Sequence, residues 1–92
     1  IYPKELELLL DAQDGVLESA VIGVPHDDLG EVPLAVLVAQ PGAQIDVDAV
    51  KAAAAQTLAR YKQPRDYRVV DALPRNTMGK VQKAALRTEF GG

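Results

Sequence analysis

The stretch from Val32 to Gln40, VPLAVLVAQ, constrains the fold more than any other part of the chain. At the two-residue period of a β-strand, Leu34, Val36 and Val38 share one face and Ala35, Leu37 and Ala39 the other. A strand that is apolar on both faces has to be covered on both, so this segment predicts a strand with other elements packed above and below it.

The rest of the chain supplies those elements. Glu18 to Val24 predicts another strand, because Ala20, Val21, Ile22 and Val24 form a short, nearly continuous apolar run, and Pro25 is expected to end its pairing. Tyr67 to Leu73 predicts a third, with Tyr67, Val69 and Asp71 on one face and Arg68, Val70 and Ala72 on the other. A first helix is expected from Pro3 to Gln13, since proline suits the first turn and Leu6, Leu9 and Leu10 fall on one side. A second follows Pro41-Gly42, with Asp46 as N-cap, Ile45 stapled onto Val50, and a buried stripe of Val47, Val50, Ala54 and Leu58. Arg60, Tyr61 and Lys62 are expected to close it, their cations answering the helix dipole before Pro64. A last helix is expected from Gly79 or Lys80 to Phe90. Val81, Ala84, Ala85 and Thr88 would face inward, and Lys80, Lys83 and Arg87 would form a basic stripe in which Lys83 and Arg87 are expected to be solvated. The order helix, strand, strand, helix, strand, helix predicts a small α+β domain with a mixed three-stranded sheet packed against about three helices. The strand order is left open.

With 92 residues the chain is one domain with one modest core. There is no cysteine, hence no disulfide or thiolate metal cluster, and the single histidine makes no metal site by itself, so no metal ligand is assigned. No apolar run approaches the roughly 18 residues of a membrane span, and nothing resembles a signal peptide; a soluble cytoplasmic domain is expected. The net charge of −3 conceals an asymmetry: residues 1–59 hold two basic and ten acidic residues, whereas residues 60–87 hold eight basic and two acidic. Any anion-facing surface is expected in the C-terminal third. The lone His26 sits beside Asp27, Asp28 and Glu31 in a turn bounded by Pro25 and Gly30, a pattern read as turn chemistry rather than an acid-base cluster.

The stretch that carries chemistry is Leu73-Pro74-Arg75-Asn76-Thr77-Met78-Gly79-Lys80-Val81-Gln82-Lys83. Pro74 ends strand pairing, Asn76 and Thr77 are good caps, and Gly79 permits a sharp turn, so Lys80 is presented at a loop-to-helix junction as a flexible point charge with three donors. It is not a mononucleotide-binding loop: the residue five before Gly79 is Pro74 rather than glycine, and Val81 stands where serine or threonine is needed.

The whole stretch resembles the last core motif of the adenylate-forming enzymes, which include acyl- and aryl-CoA synthetases, firefly luciferase and peptide-synthetase adenylation domains, and it looks most like the acid-CoA ligase branch. Three further pieces resemble that family in order. Ile1-Tyr2-Pro3-Lys4-Glu5-Leu6-Glu7 resembles the passage into its C-terminal domain. Val24-Pro25-His26-Asp27 with Gly30-Glu31 resembles its strand-loop-strand signature, and Tyr61-Lys62-Gln63-Pro64 its helix-end signature.

The resemblance covers essentially the whole chain and implies that residues 1–92 are the mobile C-terminal lid of an AMP-forming carboxylic acid-CoA ligase of the fatty-acid or short acyl-CoA type. The larger N-terminal adenylation domain and the hinge would lie upstream, and the lid alone is expected to be inactive and to bind no cofactor. It implies ATP, Mg2+ and CoA for the full-length enzyme, and as partners its own N-terminal domain, a carboxylic acid and CoA. By the same resemblance Lys80 is the adenylation lysine; Asn76, Thr77 and Gly79 shape the nucleotide loop; Ile1 and Tyr2 lie on the CoA side. Lys80 is also implied as a target of regulatory acetylation by a protein lysine acetyltransferase, reversed by a deacetylase. Two rival readings stand beside this one: the C-terminal subdomain of an adenylation domain that loads a carrier protein, and a non-catalytic binding module. A nucleic-acid binder of that last class needs stacking aromatics on its sheet, and the strands offer only Tyr67, so no nucleic-acid partner is expected.

Overall fold

A computed structural model describes residues 2–91. In chain order its elements are α1 (Pro3–Asp11), β1 (Val16–His26), β2 (Gly30–Ala39), α2 (Val47–Thr57), a short 3-10 turn (Arg60–Lys62), β3 (Asp66–Val70) and α3 (Lys83–Phe90). β2 is the central strand of a three-stranded sheet of order β1-β2-β3, antiparallel to β1 and parallel to β3. A parallel neighbour requires a long crossover, and α2 lies within the connection between β2 and β3.

The two faces of β2 are covered as its alternation requires. Ala35 and Leu37 pack with Leu6 and Leu10 of α1, Val50 of α2, and Val16 and Val21 of β1. Leu34, Val36 and Val38 pack on the opposite face with Ala20 and Ile22 of β1, Leu73, and Leu86 of α3. The stripe expected on α2 is present: Val50 and Ala54 are buried, and Val47 and Leu58 are partly buried against the first cluster. Asp46 caps α2 through its side chain, which accepts from the Ala49 N–H at 3.1 Å, and Ile45 joins Val50 in the same core.

β1 is an edge strand, and α1 guards its outer rim. Glu7 accepts the Val21 N–H at 2.8 Å, and the Ser19 hydroxyl donates to Asp11 at 2.6 Å. The Val21 N–H therefore points outward. At the two-residue period Pro25 stands on the same rim, where its missing N–H costs no ladder bond, and so β1 continues through Pro25 and His26 opposite Glu31 and Gly30. The expectation that Pro25 ends pairing is corrected for that reason.

Other boundaries differ as well: β1 starts at Val16, β2 runs from Gly30 to Ala39, and β3 starts at Asp66. α1 ends at Asp11, and the Gln13 side chain donates back to the Leu9 carbonyl at 2.9 Å. α2 stops at Thr57, where Leu58 turns extended (ψ 147°) to tuck into the core, so Arg60, Tyr61 and Lys62 form a separate turn rather than the helix end. β3 ends at Val70 opposite Val38, because β2 offers no ladder beyond Ala39. α3 begins only at Lys83. Its inward residue is Leu86, flanked by partly buried Val81 and Phe90, while Ala84, Ala85 and Thr88 are exposed. Lys83 is not a solvated cation, for its ammonium lies 2.7 Å from Glu7.

Candidate functional site: the Lys80 hairpin

Between β3 and α3 the chain folds back on itself before the helix can start. Arg75 and Val81 form an antiparallel bridge, and the Asn76 N–H donates to the Lys80 carbonyl at 3.0 Å. The Gly79 N–H in turn donates to the Asn76 carbonyl at 3.0 Å, which closes a three-residue hairpin over Thr77, Met78 and Gly79. Gly79 occupies a left-handed conformation (φ +84°), the position in such a hairpin that glycine fills without steric cost.

Asn76 holds the loop from inside. Its Oδ1 accepts from the Met78 N–H at 2.9 Å and the Lys80 N–H at 3.0 Å, so it caps this turn rather than the helix. Two residues to which the sequence reading gave no role close the rest. The Gln82 N–H donates to the Pro74 carbonyl at 2.8 Å and its side-chain amide to the Lys80 carbonyl at 3.0 Å. The Arg75 guanidinium donates to the Gly79 carbonyl at 2.6 Å and pairs with Glu18 of β1. Nothing in the spacing of Glu18 and Arg75 announces this contact, since 57 positions separate them. Thr77 is exposed and contributes no side-chain hydrogen bond among the described residues; Met78 is 89% exposed beside it.

The structure thus brings Asn76, Thr77, Gly79 and Lys80 into one loop. Tyr2 is engaged elsewhere: its ring lies 4.7 Å from the Lys62 ammonium, which also pairs with Glu5 at 3.2 Å. The hydrogen bond to Glu5, above all, raises the Lys62 pKa above its ordinary value. Ile1 lies outside the described residues.

Part of the charge asymmetry is consumed within the fold. Lys62–Glu5, Arg75–Glu18 and Lys83–Glu7 each join a cation of the C-terminal third to an acid of the N-terminal half, and Arg68 pairs with Asp66. Arg60 and Arg65 line an open groove with Tyr61 and Glu31. The Lys80 ammonium has no ion-pair or hydrogen-bond partner among the described residues, and its residue is exposed at the end of the hairpin. His26, by contrast, is spent on its turn: Nδ1 accepts from the Asp28 N–H at 3.2 Å and the Leu29 N–H at 3.1 Å, while Nε2 lies 3.5 Å from Arg65. Among the described residues, no three His, Cys, Asp or Glu side chains converge as a metal site would need.

Comparisons with known proteins give the chain a family. The family model of the AMP-binding enzyme C-terminal domain matches residues 5–80, a match that ends on Lys80. The 3-[(3aS,4S,7aS)-7a-methyl-1,5-dioxo-octahydro-1H-inden-4-yl]propanoyl:CoA ligase of Rhodococcus jostii strain RHA1 is 52% identical over 89 residues, covering 97% of this chain and 17% of the relative. The fatty acid–[acyl-carrier-protein] ligase ScoC of Streptomyces coeruleorubidus is 37% identical over 92 residues, covering 100% of this chain and 18% of the relative. Among solved structures, apo MatB from Rhodopseudomonas palustris superposes with a TM-score of 0.94 at 53% identity, over 99% of this chain and 18% of that one, and its ATP-bound form does so equally well. The chain therefore spans less than a fifth of the length of these relatives, and it belongs to the AMP-binding enzyme C-terminal domain family.

Proposed function

We propose that this chain is the C-terminal lid of an ATP-dependent, AMP-forming carboxylic acid-CoA ligase, and that Lys80 is the residue through which the lid takes part in chemistry. The observation that carries this reading is an exposed ammonium with no partner among the described residues, held on a hairpin whose backbone is fastened at every turn. The CoA-ligase names of relatives and the ATP-bound neighbour support it.

In the first half-reaction a carboxylate oxygen attacks the α-phosphorus of ATP, the bond to the β-phosphate oxygen breaks, and acyl-adenylate and pyrophosphate result. Charge on the phosphoryl oxygens grows during this displacement, and a preplaced cation lowers its energy most where water is excluded. Lys80 supplies that cation. Asn76 and Gly79 give it a fixed base, with Thr77 at the hairpin's exposed end, so little reorganisation is needed when the lid closes. In the second half-reaction the CoA thiol gives up its proton and attacks the acyl carbon, the bond from that carbon to the phosphate oxygen breaks, and AMP leaves with the electron pair; substitution is at carbon rather than phosphorus, and no role in it is assigned to Lys80. Tyr2, together with Ile1, belongs to the CoA side in this reading. Magnesium enters with ATP, and no step is assigned to it through this chain's residues. The compartment is the cytoplasm, where ATP and CoA are available; no helix among the described residues is long and apolar enough to cross a membrane.

An exposed lysine without an ion-pair partner is also open to acylating enzymes. Acetylation of Lys80 would remove its charge and stop adenylation, and a deacetylase would restore it. Mass spectrometry after treatment with acetyl-CoA and a protein lysine acetyltransferase should find modification concentrated at Lys80; an even spread over Lys4, Lys51 and Lys80 would contradict this. Loading of a carrier protein instead of CoA is a second reading, favoured by the likeness to ScoC.

The test is pyrophosphate release by the full-length protein against a panel of carboxylic acids, with CoA or a carrier protein as acceptor. Acid-dependent release that collapses in Lys80→Ala is expected. Failure to release pyrophosphate with any acid on the panel, or release indifferent to Lys80, would overturn the reading and leave a lid-like domain used for binding.

A further inference from the structure

The contact between Arg75 and Glu18 bears on the position of Lys80 more than on the stability of the fold. β1 shifts register between Val16 and Glu18, leaving Leu17 as an extra residue, and such an irregularity re-aims the side chain beside it. Glu18 meets the guanidinium of Arg75. The same guanidinium uses Nη1 to hold the Gly79 carbonyl at 2.6 Å while Nη2 engages Glu18. The Gly79 carbonyl and the Lys80 N–H belong to one planar peptide unit. Arg75 holds its oxygen and Asn76 Oδ1 holds its N–H at 3.0 Å, so the plane from which the Lys80 side chain departs is pinned at both ends. Only a forked donor reaches two acceptors in this way; a lysine ammonium lacks the fixed geometry. The pair is partly solvated, with side chains 42% and 27% exposed, and such pairs contribute little to folding.

We propose that Glu18 is a positioning residue for the adenylation step, acting through Arg75 on the peptide unit that carries Lys80. The assignment rests on the adenylation role proposed above for Lys80. The sheet thereby serves as the fixed frame against which the catalytic loop is set, and Glu18 and Arg75 affect the half-reaction that uses Lys80 and not the other.

The experiment measures both half-reactions in the full-length enzyme: pyrophosphate release from ATP and acid, and thioester formation from preformed adenylate. The variants are Glu18→Ala, Arg75→Ala, Arg75→Lys, the double variant, and each single change combined with Lys80→Ala. Displacement of a catalytic group by an ångström or less costs about tenfold to a hundredfold in rate. Glu18→Ala and Arg75→Ala are each expected to slow pyrophosphate release by about that factor, with thioester formation and melting temperature unchanged. Arg75→Lys should fail to restore the rate. The double variant should be no slower than Arg75→Ala, and neither change should slow Lys80→Ala further, because all act through one group. Equal loss in both half-reactions would mean a general weakening of the fold and overturn the proposal. So would wild-type release by Glu18→Ala and Arg75→Ala while Lys80→Ala is impaired. If Lys80→Ala itself released pyrophosphate normally, the ligase reading would fall and this one with it.

Discussion

Two turns of this domain are built alike and differ in what they leave available. At one end of the β1-β2 hairpin, His26 Nδ1 accepts two backbone N–H groups and Gly30 completes the turn at φ +79°. Before α3, Asn76 Oδ1 accepts two backbone N–H groups and Gly79 completes the turn at φ +84°. In the first, the side chain with acid-base capacity is itself the cap, and its second nitrogen faces Arg65. In the second, an amide with no such capacity does the capping, and the cation beside it keeps its charge unspent among the described residues. A functional group is usable where a different residue meets the needs of the backbone.

That contrast breaks most readily at the two side chains themselves. Removing a preorganised electrostatic group from a transition state costs about 10² to 10³ in rate, so Lys80→Ala should slow adenylation by that much, whereas His26→Ala should change it less than about twofold. Pyrophosphate release measured side by side would decide it, and comparable losses would erase the distinction between the turns. Asn76→Ala comes next. It leaves two N–H groups to water and frees the base of Lys80, and should cost about tenfold in adenylation and about 1 kcal/mol in denaturant unfolding.

The glycines sharpen the comparison at equal stability. Beyond the adjoining residues, neither Gly30 nor Gly79 has a heavy atom within 4 Å of where a Cβ would stand, so alanine at either pays only for its backbone conformation, about 1 to 2 kcal/mol. Gly30→Ala and Gly79→Ala should therefore shift the unfolding midpoint similarly, while only Gly79→Ala lowers adenylation. The smallest effect involves neither turn. Burial raises the Tyr67 pKa above its ordinary 10.0, so the unfolded chain loses that proton first and stability falls as pH rises past about 10. Lys62, raised above 10.5 chiefly by its hydrogen bond to Glu5, acts in the same direction: its contribution is complete below 10.5 and disappears as pH passes the raised value. Unfolding followed from pH 8 to 11 should show this alkaline decline, flattened in Tyr67→Phe and unaltered in His26→Ala.

Much of the fold could be read from periodicity because one strand is apolar without a break from Val32 to Ala39. The alternation of Leu34, Val36 and Val38 with Ala35 and Leu37 dictated cover on both faces, and Asp46 marked the start of α2 by its own side chain. Other signals were ambiguous for physical reasons. Asn76 carries the composition of a helix cap, and only the return of the backbone from Arg75 to Val81 shows that it caps a turn and delays α3 to Lys83. Pro25 reads as a terminator until the strand is known to be at an edge. At the candidate site, Lys80, Asn76 and Gly79 stand together in the sequence and were found together. Glu18 was not, because its part depends on a register shift in β1 and a contact between segments far apart in the chain.

The most direct test of the account takes full-length Lys80→Ala and follows its two half-reactions separately. Adenylate formation should fall by two to three orders of magnitude while thioester formation from preformed adenylate proceeds at the wild-type rate. Loss of both to the same degree would contradict the account, for it would make Lys80 a part of the fold rather than the lid's one catalytic cation.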